Sequence, residues 1–171
     1  MSKRDLKKYL HELTKEQLEE QLIELYDKFS DVKVYYNFAF NPNENKLIQE
    51  AKFKISNEYF PVKSRKAKMR RSVAQKYIKH FITLGVDPFI IADVMLYNIE
   101  IAQAFSSEKV VKQELFFKSM LTSYQQTIRF LIEKGILSEF QSRVVAIKEE
   151  TLRQNWINAY EFNTITERLE Y

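Results

Sequence analysis

Apolar residues recur along most of this chain at the three-to-four-residue spacing of a helix that buries one face. Ser2 precedes a first short segment with Leu6, Leu10 and Leu13 on one side, and these three are expected to face inward. Thr14 opens a second, with Gln17 where a capping box needs it, and Leu18, Leu22 and Leu25 repeat behind it, widened by Ile23, Tyr26 and Phe29. Residues 32–40 break the pattern. Val32, Val34, Tyr36, Phe38 and Phe40 alternate with Lys33, Tyr35, Asn37 and Ala39. No partner strand is evident, so the spacing predicts an extended, aromatic-rich connector over 31–41 that packs on helices.

Helix signals resume at Asn41-Pro42-Asn43-Glu44, and that segment ends at Phe60-Pro61. Ser64 is placed to cap a basic helix running to Leu84, with Gly85 as its left-handed stop. Asp87-Pro88 restarts a helix reaching Phe105, and Ser106-Ser107 begin another that stops at Gly135. Ser138 and Gln141 form a second capping box, opening a last helix toward Leu169 with a break near Asn155 or Asn158. The two glycines lie 50 residues apart in the same context. At that offset Gln75, Ile78 and Ile82 match Gln125, Ile128 and Ile132, and Lys79 is similar to Arg129. A duplicated helical hairpin would give this pattern, and so would shared helix-end chemistry.

Composition supports helices. Only two glycines and three prolines occur in 171 residues, too few for the turns of a β protein of this size. The expected fold is all-α: one domain over 1–171, a multi-helix bundle or short stack of helical hairpins with six or seven helices. It divides into an N-terminal hairpin (1–30), the connector (31–41) and a helical core (42–171). Residues 88–105 are apolar nearly all round, which places that helix at the centre. Asp87, Pro88, Asp93, Asn98 and Glu100 interrupt residues 81–105, so no membrane span is expected there. The absence of Cys removes disulfides, thiolate metal sites and a Cys nucleophile. The charged start Met1-Ser2-Lys3-Arg4-Asp5 predicts no signal peptide, and the expected location is the cytoplasm.

The segments 72–88 (SVAQKYIKHFITLGVDP) and 93–105 (DVMLYNIEIAQAF), with 2–7 (SKRDLK), resemble a family of uncharacterised bacterial proteins of the Bacteroidetes type, a domain of unknown function. The resemblance covers most of the chain, least clearly the last 15 residues or so. It implies a domain of conserved length in a bacterial cytoplasm, and no activity, cofactor or site.

Two constellations stand out. Residues 61–80 hold eight Lys or Arg and no acid, in a chain whose net charge is +4, so the other 151 residues sum to −4. On a helical wheel Arg65, Lys68, Ser72, Lys76 and Lys79 form one stripe, which cannot pair within its own helix. Glu16, Glu19, Glu20 and Glu24 are candidate internal partners; otherwise solvent or a polyanion balances the stripe. The second is Asp93, Tyr97 and Glu100 at i, i+4 and i+7 on the most apolar helix, with His80 the only His in the expected core. Two stacked carboxylates need cations, protons or a metal. Lys or Arg from the basic helix would supply the first. No Glu-x-x-His pair, G-x-S-x-G elbow, P-loop, dinucleotide fingerprint or HExxH motif occurs.

No catalytic, cofactor-binding or metal residue is therefore assigned, and no cofactor is expected. The sequence does not specify an activity. The first reading is a non-enzymatic protein–protein interaction module, its partner another protein or a second copy, engaged through aromatics in 34–40 or through Trp156, Tyr160 and Phe162. The alternative is nucleic-acid binding through residues 63–79, with Arg65, Lys68, Lys76 and Lys79 as contacts. The third is an enzyme whose site gathers His80, Asp93, Tyr97 and Glu100.

Overall fold

The computed structural model describes residues 1–62 and 66–169. Among these it is all-helical, with nine helices and no strand. Two compact units divide at Asn43 and Glu44.

Unit 1 holds α1 (Lys3–His11), α2 (Lys15–Lys28) and α3 (Ser30–Phe40). The cap expected at Ser2 and the box expected at Thr14 both form, and Ser2 proves to be a reciprocal box as well. Ser2 Oγ accepts from Asp5 N while Asp5 accepts from Ser2 N, and Thr14 and Gln17 do the same. The predicted extended connector is instead helix α3. A lone strand leaves its N–H and C=O groups unpaired, whereas a helix pairs them within itself. Only Phe29, between α2 and α3, is extended (φ −117°, ψ 117°). Helical spacing then stacks Tyr36 on Phe40 at 6.1 Å and brings Tyr36 within 6.5 Å of Tyr26 on α2. No side chain of α1, α2 or α3 is fully buried, and Leu6, expected to face inward, is exposed.

Unit 2 holds α4 (Glu44–Tyr59), α5 (Arg71–Leu84), α6 (Pro88–Glu108), α7 (Glu114–Lys134), α8 (Leu137–Arg153) and α9 (Ala159–Glu167). Helix α6 is the hub: α4, α5, α7 and α8 all pack on it. Ten of its residues are buried, including Val94, Leu96, Ile99 and Ala102 at 0% exposure. Of the described helices it is the one long and apolar enough to cross a membrane by length and composition. Surrounded by four helices, it also has the ordinary burial of a core helix. A second focus lies between α7, α9 and the turn that joins α8 to α9, where Phe116, Phe117, Tyr124, Trp156 and Phe162 meet at ring distances of 4.8–5.9 Å.

Several predicted boundaries move. Ser106 and Ser107 do not start a helix. They lie in the last turn of α6, their hydroxyls donating to Gln103 O and Ala104 O, and α7 begins at Glu114. The second capping box does not form either: α8 starts at Leu137, and Ser138 Oγ donates to its neighbour Glu139. The break near Asn155 is present, with Asn155 at φ 52° between α8 and α9. These breaks, with α3, take the count from the expected six or seven to nine.

Both glycines end their helices in the left-handed region, at φ 73° and 68°. The hydrogen bonds match atom for atom: Gly85 N to Ile82 O and Val86 N to Phe81 O, then Gly135 N to Ile132 O and Ile136 N to Leu131 O. Burial also repeats, with Phe81 and Leu131 inaccessible and Ile82 and Ile132 both 54% exposed. Nothing lies within 4 Å of a Cβ added at either glycine, so only backbone strain opposes a side chain there. Gly85→Ala and Gly135→Ala should each cost about 1 kcal/mol of unfolding free energy, with Asn at either site costing less than Ala, as read by chemical denaturation.

Candidate functional site

The polar stripe on α6 is a closed ion network. Arg143 of α8 donates from Nη1 to Asp93 Oδ1 and, as a fork, from Nε and Nη2 to Glu100 Oε1 and Oε2, each at 2.8 Å. Lys52 of α4 holds the other Asp93 oxygen at 2.6 Å and lies over the Tyr97 ring at 5.1 Å. All four carboxylate oxygens thus face cations, and the groups balance in charge. Burial alone would raise the Asp93 carboxyl, but hydrogen bonds from Lys52 and Arg143 outweigh it and hold it below its usual range. The cations come from α4 and α8, not from the basic helix as expected.

His80 does not join them. It is exposed on α5, its nearest ring contact the adjacent Phe81. The structure brings together Asp93, Tyr97 and Glu100 and leaves His80 apart. Among the described residues no group of three or more acids and histidines is arranged to hold a metal. With both acids bound to cations, the cluster has no free carboxylate for proton transfer. Its geometry is that of a clamp joining α4, α6 and α8.

The basic run is organised by Glu58, a buried acid on α4. Its carbonyl accepts Lys68 N and Met69 N, and its carboxylate accepts Arg70 N, Nε and Nη2. Hydrogen bonding from Arg70 holds the Glu58 carboxyl below its usual value. This pin keeps residues 66–70 out of helix and puts Met69 at φ 52°, so α5 starts only at Arg71. Among the described residues the expected stripe is therefore not carried on one continuous helix. Ser64 and Arg65 lie outside the described residues, Lys68 precedes the helix, and Lys76 and Lys79 are exposed on it. Glu58 meets the basic segment where the sequence had offered the acids of α2.

Arg71 is different. It is half-buried, and its Nε and Nη2 donate to neutral acceptors on α7, Ser123 Oγ at 2.8 Å and Gln126 Oε1 at 2.5 Å. No carboxylate of a described residue pairs with it. Below it α5 and α7 flank a groove of about 260 Å3 with Lys79 and Arg129 on its walls. Unit 1 carries a second groove, about 320 Å3, between α2 and α3; Leu22, Ile23, Tyr26, Tyr36 and Phe40 line it.

A family model matches residues 1–170 and is described as a family of unknown function, DUF6155. The chain belongs to this family. No curated protein and no solved structure matches it.

Sequence reasoning missed Arg71, Lys52 and Arg143, because each finds its partner on a distant helix, and Glu58, whose partners lie ten to twelve residues on in a segment read as helix. It also placed Trp156 and Phe162 as docking aromatics, and both are buried; of that trio only Tyr160 is exposed, at 77%.

Two outcomes follow for stability. Arg143→Ala leaves two half-buried carboxylates without their shared cation and should cost about 2 kcal/mol, a figure reduced for partial solvent screening. Asp93 and Glu58 have folded-state pKa values depressed below their unfolded ones. The unfolded chain therefore takes up protons first, and the stabilisation is complete above about pH 5 and is lost as pH falls through the depressed values. Denaturation curves from pH 7 to pH 3 should show that loss, and Asp93→Asn should flatten the profile; an unchanged slope would remove Asp93 from the account.

Proposed function

We propose that this chain is a protein–protein interaction module that pairs with a second copy of itself through unit 1. The observation that carries the reading is a helical unit whose apolar side chains stay uncovered. Leu22, Ile23, Phe29, Tyr35 and Phe40 are 45–77% exposed, and most of them border or line the α2–α3 groove. Contiguous apolar surface of this kind marks binding sites in globular proteins.

Charge favours a second copy as the occupant. Helix α1 carries Lys3, Arg4, Lys7 and Lys8 on one side, with Leu6, Tyr9 and Leu10 on the other. Glu16, Glu20 and Glu24 form an acidic ridge on α2 beside Ile23. All seven charged groups are exposed, and none makes an ion pair with a described residue. A two-fold arrangement would lay α1 of each copy against the groove of the other, cations facing the ridge. The bacterial, cytoplasmic setting suggested by the sequence belongs to this reading.

Sedimentation velocity at rising concentration tests it. The wild type should dimerise below roughly 100 µM, with Ile23→Glu/Phe40→Glu monomeric. Lys7→Glu/Lys8→Glu should weaken the dimer about tenfold, and adding Glu20→Lys/Glu24→Lys should restore it. A wild type that stays monomeric, or a dimer indifferent to all these changes, overturns the reading. A monomer would leave the groove to a different protein.

A further inference from the structure

Burying a guanidinium is costly unless a carboxylate or other anion compensates it. In unit 2 the half-buried Arg143 follows that rule, facing two acids, while the exposed Arg70 pairs with Glu58. Arg71 breaks it. Desolvation holds its pKa below the usual value, and its partners are a hydroxyl and an amide. Two of its five N–H groups are engaged, which leaves three donors with no described protein acceptor.

Gln126 links this residue to the groove, since it accepts from Arg71 and lines the groove wall. One turn beyond Gln126 on the same wall is Arg129, and Lys79 stands on the α5 wall. Neither pairs with a carboxylate of a described residue. Between the walls the floor is apolar and mostly buried: Ile78, Met95 and Phe130 are 5–8% exposed. The one acid on the groove, Glu133, sits at the end away from Arg71. Cations on both walls over an apolar floor make a site for an anion with an apolar body.

We propose that the groove between α5 and α7 binds a small phosphate monoester with an apolar or aromatic group. The phosphate takes hydrogen bonds from Lys79, Arg129 and the Gln126 amide, while Arg71 fixes Gln126 and adds positive potential. The organic body lies over Ile78, Met95 and Phe130. Arginine suits this role because its planar fork matches phosphate oxygens. The 260 Å3 volume limits the occupant to a small molecule. This site does not depend on unit 1 or on self-association.

Amide NMR of the full chain, titrated with phenyl phosphate, tests it. Saturable shifts should appear at residues 75–82 and 126–133, with a dissociation constant in roughly the millimolar range or tighter. Inorganic phosphate should bind about tenfold more weakly because it lacks the apolar body. Lys79→Ala and Arg129→Ala, both at exposed positions, should each cost about tenfold, and Ile82→Glu should abolish the shifts while the rest of the spectrum is unchanged. The same titration on Ile23→Glu/Phe40→Glu should be unaltered, which separates this site from the hairpin surface. Absent shifts, equal affinity in the charge variants, or steeply salt-dependent binding of an oligonucleotide where phenyl phosphate does not bind would each overturn the proposal.

Discussion

A helix with apolar residues on nearly every side has to be walled in, and α6 imposes that requirement on unit 2. Val94, Leu96, Ile99 and Ala102 reach zero exposure only because α4, α5, α7 and α8 surround them. Burial of those side chains, at about 25 cal/mol per Å2 of apolar surface, outweighs any single polar contact. The polar exceptions on α6 conform to the same constraint. Asp93, Tyr97 and Glu100 share one half-exposed stripe, and there the wall is ionic: Lys52 and Arg143 reach the carboxylates from α4 and α8. Asn98 and Gln103, fully inside, are held by Ser123 and by Ile147 O with Thr151. Each buried polar group on this helix therefore ties it to one particular neighbour, which fixes register where apolar contact alone would allow sliding.

Glu58 shows how one side chain can reset a whole segment. Read locally, 66–84 is a good helix, with lysines and arginines spaced over alternating apolar positions. A buried carboxylate and carbonyl on α4 together take five donors from residues 68–70, and that set of bonds exceeds what one extra helical turn would supply. The chain gives up its left-handed Met69 to the arrangement, at a strain of about 1–2 kcal/mol. A polyanion surface built on a continuous helical stripe loses its geometry as a result, and Arg71 is left as the first residue of α5, facing α7.

Legibility in the sequence follows the range of the forces involved. The cap at Ser2, the capping box at Thr14, left-handed glycines at 85 and 135, the proline start at 88 and the break at Asn155 are contacts within about five residues, and all are readable. The central place of α6 is readable too, because an all-round apolar helix has one stable setting. Residues 32–40 misled because alternation was read as an extended segment, whereas a helix pairs its own N–H and C=O groups and a lone strand cannot. Ser106 and Ser138 misled because a hydroxyl bonds an i−3 carbonyl or an adjacent acid as readily as it caps. The clamp was half legible: the stacked carboxylates announced a need for cations, but Lys52 lies 41 residues from Asp93, Arg143 lies 50 and 43 residues from Asp93 and Glu100, and neither carries a local mark. His80 was misplaced because a wheel shows which residues share a face and not which face is covered.

Charge balance distinguishes two kinds of charged group in this chain. Where a cation is needed to hold the fold, as at Arg143 and Arg70, it meets a carboxylate in two or more short hydrogen bonds, and its potential is spent locally. Such groups have little left to attract a ligand, however polar the surface around them looks. The stripe Asp93–Tyr97–Glu100 illustrates this: it had the composition of a site and has the electrostatics of a joint. The reverse pattern, charge held in place by neutral partners, leaves a field that extends into solvent. Arg71 on Ser123 and Gln126 has that pattern, and Gln126 also lines the groove that Lys79 and Arg129 flank. Unbalanced charge beside exposed apolar surface is what a binding face requires: the apolar part supplies affinity, and the charge sets which occupant and which orientation are accepted.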